Sequence, residues 1–225
     1  RFFCWLWGVD TMLPFVESVI LSHAARLAPL KPTGRHRSCA RELLSSMLLV
    51  LESGMAWRHL GRYAASTIDF RTVHRHFVTW SRLGVFKEAY TSLLKLYSRK
   101  TKSNDYHCID SSYVKSIYGR DCVGRNPTDR GRRATKLSAI VNHEGVAVSL
   151  VPFPANTSDY KTVDDTLLQT LVSIDKSCAM YADKGYDSRK VRESFRSVGY
   201  IDRVSRRGTV SHRVVNRRRI VVERF

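Results

Sequence analysis

Tyr106-His-Cys-Ile-Asp-Ser-Ser-Tyr-Val-Lys-Ser-Ile117 is where the hydrophobic period of the chain changes. Upstream, apolar residues recur at helical spacing; here β-branched and aromatic residues dominate, and the stretch reads as a strand. The polar run Ser98-Arg-Lys-Thr-Lys-Ser-Asn-Asp105 in front of it has no apolar periodicity and reads as a linker, assigned to residues 99–105. Behind it, Gly119–Arg133 holds three glycines, one proline and five arginines and is expected to be a long loop. Ala134–Val141 and Val146–Phe153 are β-rich and joined by Asn142-His-Glu-Gly145, a hairpin signature. The remaining expectations are a helix over Asp164–Ile174, a short apolar strand over Cys178–Asp183 and a helix over Ser188–Val198. A last strand, Tyr200–Val204, precedes the start of a helix at Arg213–Phe225. Such an order belongs to an α/β fold with a mixed sheet flanked by helices.

It is, moreover, the order of the ribonuclease-H-like fold, and it places three acids where chemistry is done. Asp110 lies on the first strand, Asp183 at the carboxyl end of the fourth, and Glu223 on the terminal helix. Sites in α/β sheets form at strand carboxyl ends. Three carboxylates converging from separate elements make a site for hard divalent cations, Mg²⁺ or Mn²⁺. Two such ions clamp the attacking and leaving oxygens of a phosphodiester displacement. The expectation is a metal-dependent enzyme acting on a DNA backbone.

Charge agrees with an anionic partner. Lys and Arg number 38 against 20 acids, a net +18, with 16 basic and 7 acidic residues up to Ile109 and 22 against 13 beyond. Both halves therefore attract polyanions, although a solvated basic surface without a specific role has the same composition. Cys4, Cys39, Cys108, Cys122 and Cys178 form no CxxC pair, and their odd number fits free thiols in a reducing compartment rather than a disulfide framework. No run approaches a membrane span. Residues 1–37 are read as a poorly defined N-terminal segment, and the start without methionine as a truncated or processed frame.

Residues 38–98 read as a small all-helical N-terminal domain. Ala40–Ser53 carries Leu43, Leu44, Met47, Leu48 and Leu51 at helical spacing and stops at Gly54. Asp69–Leu83 carries Phe70, Val73, Phe77 and Trp80 on one stripe and Arg71, Arg75 and Arg82 on the other face; Phe86–Ser98 repeats the pattern. Two readings stand together: a DNA-binding module of helix-turn-helix type, with Arg71 and Arg75 on DNA, or a bundle with an ordinarily charged outside.

Several segments together resemble the DDE-type transposases of bacterial insertion sequences, in the branch with a short gap between the second Asp and the Glu. The resemblance covers about residues 38–225. It runs through Glu52-Ser-Gly-Met-Ala-Trp-Arg-His-Leu60, Val73-His-Arg-His-Phe-Val-Thr-Trp80, Asp129-Arg-Gly-Arg-Arg-Ala-Thr-Lys136, Pro154-Ala-Asn-Thr-Ser-Asp159, Asp183-Lys-Gly-Tyr-Asp187 and Val221-Val-Glu-Arg224. The resemblance implies that Asp110, Asp183 and Glu223 are the metal-binding triad of a catalytic domain spanning 106–225, working with two Mg²⁺ or Mn²⁺ ions. It implies cutting at element ends and strand transfer by a freed 3′-hydroxyl. It also implies partners: terminal inverted repeats, target DNA and a second copy of the chain on paired ends. Arg219 matches an arginine that relatives carry one helical turn before the glutamate. The expected location is the cytoplasm or nucleoid of a bacterium, or a eukaryotic nucleus or viral host's nucleus, without secretion.

Other residues carry two readings each. Asp159 is read as a helix cap in preference to a site residue. Lys136 and Lys184 contact phosphate or are ordinary exposed cations, and Arg132 is assigned to DNA. Asp187 is read as a turn or cap, and Glu144 as solvated in its hairpin turn. The terminal helix, about three turns here, is expected to fray and to leave Glu223 poorly held. Two alternatives to the transposase follow: a ribonuclease-H-like nuclease that only hydrolyses, and a truncated remnant that only binds DNA.

Overall fold

The computed structural model describes residues 9–28, 38–63, 68–100, 106–116, 119, 121–171, 174, 177–206, 208 and 218–222. They fall into two units, one up to Leu96 and one from Tyr97 onward.

In the first unit, the segment 1–37 that the sequence leaves undefined contains a helix, α1 (Val9–Leu27), with Pro14 inside it. Its Ile20 and Ala24 are buried in the unit's core, and that burial holds a segment whose own apolar pattern is weak. α2 (Ala40–Ser53) ends at Gly54 in a left-handed conformation, φ 67°, as the sequence pattern requires. The expected loop around Trp57 and Gly61 is instead a 3₁₀ turn (Trp57–His59) leading into the short α3 (Leu60–Tyr63). α4 (Phe70–Arg82) starts at Asp69, whose side chain accepts from the Arg71 amide at 2.8 Å. α5 (Val85–Lys100) runs two residues past the expected end. Leu43, Leu44, Met47 and Val50 of α2 bury against Val73 and Trp80 of α4 and Leu60 of α3. Each such side chain contributes about 1.5–3 kcal/mol.

The second unit is built on a mixed sheet. β1 (Tyr106–Lys115) pairs antiparallel with β3 (Arg133–Asn142) over nine residues, from His107 opposite Asn142 to Lys115 opposite Ala134. β4 (Ala147–Pro154) pairs antiparallel with the other edge of β3. β5 (Ala179–Ala182) runs parallel to β1, and β6 (Ile201–Val204) parallel to β5. The spatial order β4-β3-β1-β5-β6 is that of the ribonuclease-H-like fold. The expected long loop 119–133 contains a further strand, β2 (Gly124–Arg125), which pairs with Ala134 and Arg133. Because Lys115 already occupies the other side of Ala134, β2 takes the edge of β3 that β4 leaves at Pro154.

α6 (Asp159–Leu168) starts five residues before the sequence pattern places it. Thr162 and Thr166 lie on its buried face, where their hydroxyls bond the Ser138 hydroxyl and helix carbonyls, so a polar pattern conceals a core-facing turn. α7 (Arg189–Ser197) is capped by Ser188, which accepts from the Val191 amide at 3.3 Å. One sheet face carries Ile109, Ile140 and Met180 against Val163, Leu167, Val191 and Phe195 of these helices. The opposite face carries Cys108, Ala139, Val141 and Tyr181 against Val221 and Val222 of the helical residues 218–222. Helices thus flank both faces.

Candidate functional site

Alternation along a strand puts Tyr106, Cys108 and Asp110 on one face of β1. Cys108 pairs with Tyr181 on the parallel neighbour β5. Two residues further along each strand stand Asp110 and Asp183, so the two carboxylates share a level on adjacent strands spaced about 4.8 Å apart. The β5 strand ends at Ala182, and a 3₁₀ turn (Lys184–Tyr186) begins immediately behind Asp183.

Arg219 reaches both acids from the helical residues 218–222. Its Nη2 lies 3.5 Å from Asp110 Oδ2 and its Nη1 3.2 Å from Asp183 Oδ1, with only 12% of the side chain exposed. A cation between two carboxylates is what that pair favours electrostatically, and the oxygen donors suit a hard divalent ion in the same place. Burial pushes the Asp110 carboxyl above the usual range. The Ser111 amide, donating at 2.8 Å, and Arg219 pull it down, while Asp183 and Asp159 push it up. A cleft of about 480 Å³ opens beside Asp110, lined by Ser112, Leu137, Ala139, Leu150 and Val222.

Arg218 docks the same helical residues. Its guanidinium lies 5.0 Å from the Tyr106 ring centre and 5.2 Å from that of Tyr181, and donates to the Tyr181 hydroxyl. The Cys108 thiol donates to the Arg218 carbonyl at 3.4 Å. The fraying expected of the terminal helix is therefore opposed, through residue 222, by cation–π stacking and by Val221 and Val222 in the core. Glu223, the third expected ligand, lies outside the described residues, as do Arg213 and the other residues of the expected helix up to 217.

Lys136 is not the exposed cation of one of its two readings: it is 2% exposed, donates to Asp159 Oδ1 at 2.8 Å and to the Thr157 carbonyl at 2.5 Å, and lies over the Tyr113 ring. Asp159 is correspondingly not a cap: its carboxylate takes Lys136 and the Ser111 hydroxyl, the latter at 2.6 Å. Glu144 is likewise not solvated alone in its turn, since it accepts from the Tyr97 hydroxyl within the second unit. Asp187 ends the 3₁₀ turn behind Asp183 and pairs with Arg192 at 2.8 Å. Lys184 is half-buried in the turn behind Asp183. Arg71, Arg75 and Arg132 are exposed, the first beside Asp69 at 3.8 Å and the last beside Asp129 at 3.7 Å. Among the described residues no three His, Cys, Asp or Glu side chains gather in metal-ligand geometry.

Three positions were not singled out from sequence: Arg218, Arg192 and Ser111. For Arg218 a signal existed, because Tyr106 shares strand parity with Asp110, and Tyr181 with Asp183. Those rings therefore flank the acids on one face, where a cation can stack.

Residues 105–225 match the family of the transposase DDE domain. The chain belongs to that family. Its members are DNA-cutting enzymes that use divalent metal ions. A Burkholderia cepacia protein described as a transposase for insertion sequence element IS402 is 29% identical to this DDE-domain chain over 119 residues. That alignment covers 48% of this chain and 54% of the relative, so the chain spans about half the length of the curated protein it matches. Two solved structures align at 11% identity over 90% of this chain. They are a piggyBac transposase synaptic complex with hairpin DNA (TM-score 0.45, 51% of that chain) and a Mos1 transposase paired-end complex with left transposon end (TM-score 0.32, 70% of that chain). No described helix of this DDE-domain chain is long and apolar enough to cross a membrane.

Proposed function

We propose that this chain is the transposase of an insertion element, cleaving DNA at element ends and joining the freed 3′-hydroxyl to target DNA. The observation that carries this reading is the pair Asp110 and Asp183, level on adjacent parallel strands with one guanidinium between them. Asp110, Asp183 and Glu223 would hold two Mg²⁺ or Mn²⁺ ions. When bound, such ions supply activation of the attacking oxygen and neutralise charge at the scissile phosphate.

The chain's own groups prepare that site. The Ser111 amide orients Asp110, and the Arg218 stack holds the helical residues that precede Glu223. Arg219 offsets the charge of both acids, which with Glu223 would hold the ions. Residues 38–98, with Arg71 and Arg75 exposed on α4, form a DNA-binding domain preceding the linker 99–105 and the catalytic domain 106–225. The substrate is double-stranded DNA carrying terminal inverted repeats, bound by two copies of the chain.

The test is a nicking and strand-transfer assay on element-end duplex with Mg²⁺ or Mn²⁺. Cleavage and joining by the native chain, lost in Asp110→Asn, Asp183→Asn and Glu223→Gln, are expected. Activity surviving any one of these substitutions removes that residue from the triad. Hydrolysis without joining makes the protein a nuclease.

A further inference from the structure

Within the arginine-rich segment that the sequence reads as a loop, residues 124–133 form a built hairpin. The Asn126 amide donates to the Arg132 carbonyl at 2.8 Å, and the Gly131 amide donates to the Asn126 carbonyl at 3.0 Å. Asn126 is 6% exposed, and its side chain accepts from the Thr128 amide at 3.0 Å and hydroxyl at 2.8 Å. The base of the hairpin is pinned as well. Gly124 passes so close to the turn behind β4 that a Cβ there would collide with Asn156 Oδ1 and lie 2.9 Å from the Ala155 amide nitrogen.

This ordered scaffold displays exposed Arg125, Arg130, Arg132 and Arg133. Two features of the display oppose folding in isolation. Arg125 and Arg133 sit directly opposite each other across the β2–β3 pair, and like charges in that position repel. Arg130 adopts a left-handed backbone, φ 49°, which non-glycine residues rarely adopt and which concentrates at functional sites. Asp129, near Arg132 at 3.7 Å, offsets little of this charge. A polyanion laid against the hairpin would relieve the repulsion.

Position names the polyanion. Asp110 pairs with Ala139 and Lys115 with Ala134, so the hairpin base lies five residues beyond Asp110 along the same ladder. At about 3.4 Å per residue that is roughly 17 Å, or half the roughly 34 Å turn of a B-form duplex. We propose that the β2–β3 hairpin grips the phosphate backbone of the duplex about half a helical turn from the phosphate held at Asp110 and Asp183. It fixes where along the duplex the cut falls, without reading bases. This inference rests on the DNA-cutting function proposed above.

The test is anisotropy titration of a labelled 30-base-pair duplex of arbitrary sequence across a NaCl series. It compares the native chain, the triple variant Arg125→Gln/Arg130→Gln/Arg132→Gln and the control Arg189→Gln/Lys190→Gln on exposed positions of α7. The slope of log K against log salt changes by about 0.9 per phosphate contact, so the triple variant should lose close to three, and the control essentially nothing. Mn²⁺ binding by calorimetry should be unchanged in the triple variant, which also shows that it is folded, and cleavage positions on element-end duplex should spread over several phosphates. A native slope in the triple variant overturns the hairpin assignment while leaving the proposed function intact. A native chain that binds no duplex at all overturns both.

Discussion

Arg219 bonds Asp183 across 36 residues of sequence, its Nη1 standing 3.2 Å from the carboxylate while Nη2 turns to Asp110. One side chain thus neutralises two acids that would otherwise repel each other on neighbouring strands, and it does so where a divalent ion is expected. Replacing Arg219 with Gln should lower the stability of the metal-free protein by about 1–2 kcal/mol, the size of partly exposed charge-assisted hydrogen bonds. Relieved of a competing cation, Mn²⁺ should bind about three- to tenfold more tightly. Urea unfolding in EDTA and calorimetric titration measure the two effects. Loss of Mn²⁺ binding would show instead that Arg219 is needed to assemble the acids.

The turn behind Asp183 is held from the other side by Arg192. It bonds Asp187 at 2.8 Å, Asp202 at 2.5 Å and the Val204 carbonyl at 3.2 Å, with 17% of its side chain exposed. Arg192→Met should cost about 2 kcal/mol, since it withdraws one guanidinium from two largely buried carboxylates, of which Asp202 keeps Arg196 at 2.5 Å. Arg189→Ala, at a side chain 93% exposed and paired with Glu193, should cost under about 0.5 kcal/mol. Midpoints of urea denaturation separate the two; equal shifts would refute the clasp.

Lys136→Met should destabilise the fold by about 2 kcal/mol by leaving Asp159 without its cation. Much of that loss should return in Lys136→Met/Asp159→Asn. Because Lys136 is buried, neither variant should alter the salt dependence of DNA binding. A changed salt slope would make Lys136 a phosphate contact.

His107 is buried on β1, shares a 2.6 Å hydrogen bond with the Tyr200 hydroxyl, and has its pKa lowered to about 4 by burial and by His143. Between about 6.5 and 4 the unfolded chain binds the proton that the folded chain refuses. The resulting stability is therefore complete above pH 6.5 and lost as pH falls through that window, by about 3 kcal/mol in all. Denaturant unfolding from pH 7.5 to 4 should show this decline, and His107→Phe/Tyr200→Phe should flatten that part of it. An unchanged pH profile in the double variant would assign the acid sensitivity elsewhere.

The apolar runs around Cys108, Ile140, Met180 and Val204 made β1, β3, β5 and β6 legible, because burial on both faces writes a continuous hydrophobic run into the chain. Where core-facing positions are polar, as with Thr162 and Thr166, the period misled by five residues. The β2 hairpin was missed for a related reason. A two-residue strand carries no period, and its order comes from Asn126 and from Gly124 packing on the next turn.

Local pattern alone determined the order of β1, β3, β4, β5 and β6 with the helices between them, and the basic character of the chain; the parallel pairing that sets Asp110 beside Asp183 came from the tertiary structure. The tertiary structure decided which cations face that partner and which are held within the fold. Arg219, Lys136 and Arg192 read in sequence like Arg71, Arg125 or Arg132. Each is held within the fold by a carboxylate that the folded chain brings to it. A charge is buried only where such a partner offsets its desolvation, and that partner is placed by the fold, not by the neighbouring sequence.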